Sequence, residues 1–304
     1  MQRLRIATRA SALAQWQADH VASALIAEAD ARGERLEVEK VVVETFADRR
    51  LDIPIDAMGG KGVFVKEIQA AVLDGRADLA VHSGKDLPAI TPVGLVIAAV
   101  PQRADARDVL VGCTLASLPQ GGRVASGSIR RRAQLAALRP DLVFEGLRGN
   151  IATRLERARE YDAIVMAAAA IDRLELDLSD RVVEVLAEDV MIPQVAQGAI
   201  VVECRDDLAD ALALTASIEH ADSRVAVDAE RAFLRELGGD CDLPAGAHAV
   251  VSAGRVRLES ILAAVDGTVV LRDSREFDIA DRFVAGAAAA RALLDGGGIE
   301  LLGR

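Results

Sequence analysis

Over its first two hundred residues the chain alternates short β-rich runs with Ala-rich helical stretches, and this alternation restricts the fold more than any other feature. LRIAT (4–8) reads as a strand. Ser11 then stands as N-cap to a helix over 12–31, whose Leu13, Trp16, Val21 and Leu25 recur at near-helical spacing. A strand over 36–43, a helix over 63–74 and strands over 79–82 and 94–100 follow. Such alternation predicts a parallel or mixed sheet covered on both faces, with ligands at the loops after the strand C-termini. A second unit of the same kind runs from DVLVG (108–112) to RVVEVL (181–186), and 192–205 reads as a further strand of first-unit character. A chain that crosses near Pro101 and recrosses near Pro193 joins two α/β lobes by two hinges, the plan of a cleft-closing binding protein. From about 221 the character changes. A helix (222–237), three strand-like runs broken by SAG and DG turn signals, and an Ala-rich helix (280–295) predict a small α+β domain with an antiparallel sheet. The expected domains are 1–99 with 197–217, 103–192, and 221–304.

The chain has 304 residues, 51% of them apolar, enough to give each domain its own core. No N-terminal leader pattern and no apolar run near the roughly 18 residues of a membrane span is present, so the expected compartment is the cytoplasm and no membrane partner is expected. Cys113, Cys204 and Cys241 are far apart and form no CxxC pair, which supports neither a disulfide framework nor a zinc site; no metal is expected. A net charge of −11 disfavours nucleic acid. Between Arg123 and Arg159, however, nine Arg face three acids, a local reversal that suits capture of a small polyanion.

The motifs sharpen this. Only four of the 36 basic residues are lysines, and Lys61, Lys66 and Lys85 fall within GGKGVFVKE and HSGKDLP. GGKG precedes a helix, where backbone N–H groups and Lys61 can face an anion, but it lacks the spacing and the Ser or Thr of a nucleotide phosphate loop. HSGKDLP places Ser83, Lys85 and Asp86 at a strand end, with Asp86 suited to stabilising a cation or shuttling a proton. The same letters admit a Ser-His-Asp reading, for which no GxSxG elbow exists. SGSIRRRAQL sets Arg130, Arg131 and Arg132 in the first turns of a helix, where cations oppose the helix dipole and call for a compensating anion. LRGNIATR repeats the arrangement with Arg148 and Arg154, and arginines converging from two loops recognise carboxylates bidentately. Cys241 sits in LGGDCDLPAGAHA, set off by Gly and Pro; the adjacent Asp240 and Asp242 disfavour a thiolate, which argues against a protease nucleophile.

In order, IATRASALAQWQA, GGKGVFVKE, HSGKDLP, ASGSIRRRAQL, LRGNIATRL, PQVAQGAIVVECR and AERAFLRELGGDCDLPAGAHA resemble the hydroxymethylbilane synthases, also called porphobilinogen deaminases, along nearly the whole chain. The resemblance implies two lobes like type II periplasmic binding proteins and a small third domain carrying a cysteine. It implies a transferase of tetrapyrrole, porphyrin and haem biosynthesis that condenses four porphobilinogen molecules head to tail with loss of ammonia. It implies a dipyrromethane cofactor held by a thioether to Cys241 and catalysis by Asp86. Ser83, Lys85, Ser128, Arg130, Arg131, Arg148 and Gln197 are implied as cofactor ligands, and Arg9, Ser11, Lys61, Arg154 and Arg173 as substrate ligands. A monomer is expected.

Several positions depart from the family pattern: Phe46 and Ala47 in the Thr-x-Gly-Asp loop, Ala57 for a Lys, Gly127 for a Ser, Ala196 for a hinge Gly, and Asp240 for the Gly before the cysteine. The competing expectation is a cytoplasmic two-lobed binding module for a small polycarboxylate, since fold alone does not decide function. Such a module needs neither a loop thiol nor a carboxylate among cationic ligands.

Overall fold

The structure, a computed structural model, describes residues 2–45, 62, 65–239 and 243–303. Two compact units divide the chain: Met1–Ala104 with Ala199–Arg224, and Asp105–Gly198 with Val225–Arg304.

The first unit is built on a five-stranded mixed sheet. Its strands are β1 (Gln2–Thr8), β2 (Leu36–Val42), β3 (Leu79–Ser83), β4 (Leu95–Ala99) and the late β10 (Ile200–Arg205), in the order β2-β1-β3-β10-β4. β1 is parallel to β2 and β3, whereas β10 is antiparallel to both of its neighbours. Alternation along β1 sends Leu4 and Ile6 to one core and Ala7 to another. The first core is covered by Val21 and Leu25 of helix α1 (Ala12–Ala31), the second by Ile68 and Val72 of α2 (Lys66–Leu73). α1 has the bounds its sequence predicts, and Ser11 caps it by accepting from Ala14 N at 3.4 Å. Of the helix expected over 63–74, residues 63 and 64 lie outside the described residues.

The second unit repeats the plan. β5 (Asp108–Val111), β6 (Arg123–Ala125), β7 (Val143–Glu145), β8 (Ala163–Ala167) and β9 (Val183–Val185) form a sheet of order β7-β6-β8-β5-β9, joined by α3 (Ile129–Leu138), α4 (Ile151–Arg157) and α5 (Ala168–Arg173). β6 is parallel to β7 and β8, and β5 is antiparallel to β8 and β9. Along β5, Leu110 enters one core while Val109 and Val111 enter the other. In each sheet the antiparallel strand between its neighbours follows a change of unit, β5 after Ala104 and β10 after Gly198. The strand expected over 192–205 begins only at Ile200, because Ala196 (φ 56°) and Gly198 (φ 83°) take left-handed backbone that no strand admits.

α6 (Ala209–Thr215) and α7 (Ala221–Leu237) precede a three-stranded antiparallel sheet, β11 (Ala245–Ser252), β12 (Arg255–Ala263) and β13 (Val270–Asp278), followed by α8 (Arg282–Leu293). This is the small C-terminal α+β element order that the sequence predicts. Within the second unit a Cβ at Gly246 of β11 would stand 2.6 Å from Pro193 O and 3.0 Å from Ile192 O, so only glycine permits this approach of β11 to the 192–193 backbone, with Arg130 Cδ 3.1 Å away. Glu230 of α7, fully buried, accepts from Ala196 N at 2.6 Å and Ala249 N at 2.8 Å, binding the 193–198 segment to β11. Among the described residues no helix is long and apolar enough to cross a membrane.

Candidate active site

Parallel pairing of β1 with β3 brings their C-terminal ends, and the loops that follow, to one sheet edge. Arg9 and Ser11 follow β1, and a 3₁₀ turn over Gly84–Asp86 follows β3. Arg9, Ser11 and Asp86 line one cleft with Gln17, His82 and Ser83. Gln17 Nε2 of α1 donates to Ser83 Oγ at 2.8 Å, and Gly84 N donates to Ala199 O at 2.9 Å, which fixes the start of the turn. The structure thus brings Arg9, Ser11, Ser83 and Asp86 together. Lys85 shares their turn but does not line the cleft.

In the second unit the loops after β6 and β7 carry Ser128 and Arg148 from a common edge by the same logic, while Arg173 closes α5, the helix that follows β8 directly. Because β5 runs the other way, its first residue, Asp108, lies at that edge as well, paired with Ala167. Arg130 Nη2 donates to Asp108 Oδ2 at 2.8 Å and Arg131 Nε to Oδ1 at 2.9 Å, while Gln197 Nε2 reaches Oδ1 at 2.9 Å. The compensating anion that the helical arginines require is therefore in part internal, and sequence reading gave Asp108 no role; a charged residue opening an apolar strand run was the signal available. Burial alone would raise the Asp108 carboxyl, but the facing Arg130 and Arg131 guanidiniums and the Gln197 amide outweigh it and hold it at about 2. Arg130 itself, fully buried, is pulled below its ordinary value by the loss of water.

One carboxylate does not neutralise two guanidiniums. Arg173, at the end of α5 beside Asp172, donates to Gly198 O at 2.7 Å and is lowered to about 10 by burial, still charged at neutral pH. A buried excess of positive charge beside hydroxyl and amide donors fits a ligand rich in carboxylates. Ser128 is the N-cap residue of α3, yet its side chain makes no capping bond. Gly127, a departure from the family pattern, has a reason here: a Cβ would lie 3.1 Å from Leu147 O. Arg154 sits in α4 and donates to Gly149 O at 2.9 Å. Lys61 and Cys241, with the departures Phe46, Ala47, Ala57 and Asp240, lie outside the described residues.

Sequence reading also missed the buried surroundings of this turn. The sequence offers His82 only as part of the motif and of its Ser-His-Asp alternative, yet its Nε2 lies 3.1 Å from Glu203 Oε2 without hydrogen bonding to it, and Gln69 Nε2 donates to the same carboxylate at 2.9 Å.

Two family models match the chain: "Porphobilinogen deaminase, dipyromethane cofactor binding domain" over residues 4–213, and "Porphobilinogen deaminase, C-terminal domain" over 225–295. A protein of Syntrophotalea carbinolica named porphobilinogen deaminase is 44% identical over 304 residues, covering 98% of this chain and 95% of its own. One of the same name from Roseiflexus castenholzii is 46% identical over 304 residues, covering 98% of each. Among solved structures, a periplasmic substrate-binding protein of an ABC transporter from Coxiella burnetii aligns at 13% identity and a TM-score of 0.41, over 71% of this chain and 91% of its own. With family models spanning both parts of the chain and relatives near 45% identity along almost all of it, this chain belongs to the porphobilinogen deaminase family.

Proposed function

We infer that the chain is a hydroxymethylbilane synthase, a transferase that condenses four porphobilinogen molecules head to tail into linear hydroxymethylbilane and releases ammonia at each step. The observation that carries this reading is the seating of Asp86 with Arg9 and Ser11 in one cleft, in a chain matched by the family models over 4–213 and 225–295. The competing reading as a binding module gives that carboxylate no task.

The residue roles follow from charge and placement. Asp86 stabilises the cation that develops on substrate as ammonia departs, and accepts the proton released when the new carbon–carbon bond forms. Arg9 and Ser11, with Lys61, Arg154 and Arg173, hold substrate acetate and propionate groups. A dipyrromethane cofactor on Cys241 supplies the pyrrole carbon to which the first substrate unit is joined. Ser83, Lys85, Ser128, Arg130, Arg131, Arg148 and Gln197 hold it, and the buried positive excess around Asp108 supports their part. Gly246, five residues after Cys241, packs against Arg130, which also supports this grouping.

We further assign three domains, 1–99 with 197–217, 103–192 and 221–304, one to each sheet. The enzyme acts as a cytoplasmic monomer with no nucleic-acid or membrane partner; its net charge of −11 argues against nucleic acid and anionic membranes. The test is Asp86→Asn assayed for porphobilinogen consumption. A folded variant slowed by about 100-fold or more is expected, and near-normal turnover removes Asp86 from its role.

A further inference from the structure

We propose that His82 and Glu203 form a buried positioning pair that fixes the Ser83–Asp86 turn for the chemistry at Asp86, an inference that rests on the function proposed above. Antiparallel pairing sets Val201 opposite His82 and Glu203 opposite Ala80, so Glu203 is the diagonal neighbour of His82 on one face of the sheet. Nε2 of His82 lies 3.1 Å from Glu203 Oε2, with the Glu203 side chain at 0% exposure and that of His82 at 2%. Gln69 of α2 donates from Nε2 to both carboxylate oxygens, at 3.2 and 2.9 Å. On its other side His82 forms part of the wall of the cleft that holds Asp86.

A carboxylate withdrawn from water is costly, and a buried pair is often less stable than apolar residues of the same volume. The neighbouring core of Ile68, Ala71, Ala80 and Leu95 would accept such residues, so stability alone does not account for Glu203. What the pair does is mechanical. The turn bearing Asp86 leaves β3 one residue after His82; Gly84 N donates to Ala199 O just before β10, and the His82 ring lies against the Glu203 carboxylate, Nε2 3.1 Å from Oε2 in a contact that is not a hydrogen bond. Gln17 holds Ser83 from α1. Loss of the carboxylate releases the ring and leaves the main-chain ladder intact.

The test uses the full-length enzyme with its cofactor attached. Glu203→Gln is expected to fold and to carry the wild-type adduct mass, with kcat lowered by about 10- to 100-fold and KM changed by less than about threefold. Glu203→Asp, which keeps the carboxylate, recovers part of that kcat. In combination with Asp86→Asn the loss is no greater than for Asp86→Asn alone, because both changes act through one group. Wild-type kcat in Glu203→Gln, or additive losses in the double variant, overturns the proposal. Should Glu203→Gln fail to fold, His82→Gln provides the same kcat and KM comparison, with the same two outcomes. A wild-type chain that consumes no porphobilinogen removes the proposed function and the pair's role with it, an outcome distinct from wild-type activity indifferent to Glu203.

Discussion

Ala196, which stands where the family pattern has a hinge Gly, carries a conformational cost. With φ at 56° and no exposure, its Cβ crowds the following carbonyl, a strain of about 1–2 kcal/mol for an L-residue. Glu230 and Gln197 hold it there, the first by accepting from Ala196 N, the second by donating to Ala106 O at 2.7 Å. Ala196→Gly is therefore expected to be neutral or stabilising by up to about 1 kcal/mol in urea unfolding, against the usual loss for a buried Ala→Gly change. A loss above about 1 kcal/mol contradicts this account of the strain. Single residues whose partners are close in sequence were legible: Ser11 caps the helix it precedes, and Asp86 lies where its strand ends. Asp108, Glu203 and Glu230 were not, since their partners come from 22, 134 and 34 residues away and only the fold assembles them.

At the scale of elements, α3 shows how local disadvantage is offset from elsewhere. Its arginine-rich first turn opposes its own dipole, and Asp108, delivered by a strand of opposite direction, supplies the missing charge. The carboxyl of Asp108 is lower in the folded chain than its ordinary 3.8, so its stabilisation is fully present above about pH 4 and is lost as pH falls toward about 2. The shift corresponds to about 2 kcal/mol. Asp108→Asn, which leaves two buried guanidiniums without their carboxylate, is expected to cost about 3–5 kcal/mol at pH 7 and to flatten the fall in unfolding midpoint between pH 4 and 2. A variant as stable as wild type at pH 7 contradicts the assigned pairing. Strand and helix periods gave the elements their types, and α1 its limits. The antiparallel direction of β5 and β10 was not legible, because direction is set by which edge a returning chain meets rather than by any local pattern.

At the scale of the whole molecule, two mixed sheets of matching order, each receiving an antiparallel strand where the chain changes unit, place the parallel strand ends and their loops at one edge per sheet. An acidic chain concentrates cations at those edges, and the family membership supplies the reason, a substrate that brings carboxylates with every added ring. The measurement that tests this account most directly is the intact mass of full-length protein purified from a porphobilinogen-producing host, followed by peptide mapping. The account predicts a covalent adduct of two pyrrole rings confined to the peptide containing Cys241, with Cys113 and Cys204 unmodified. An unmodified Cys241 in that protein would contradict it.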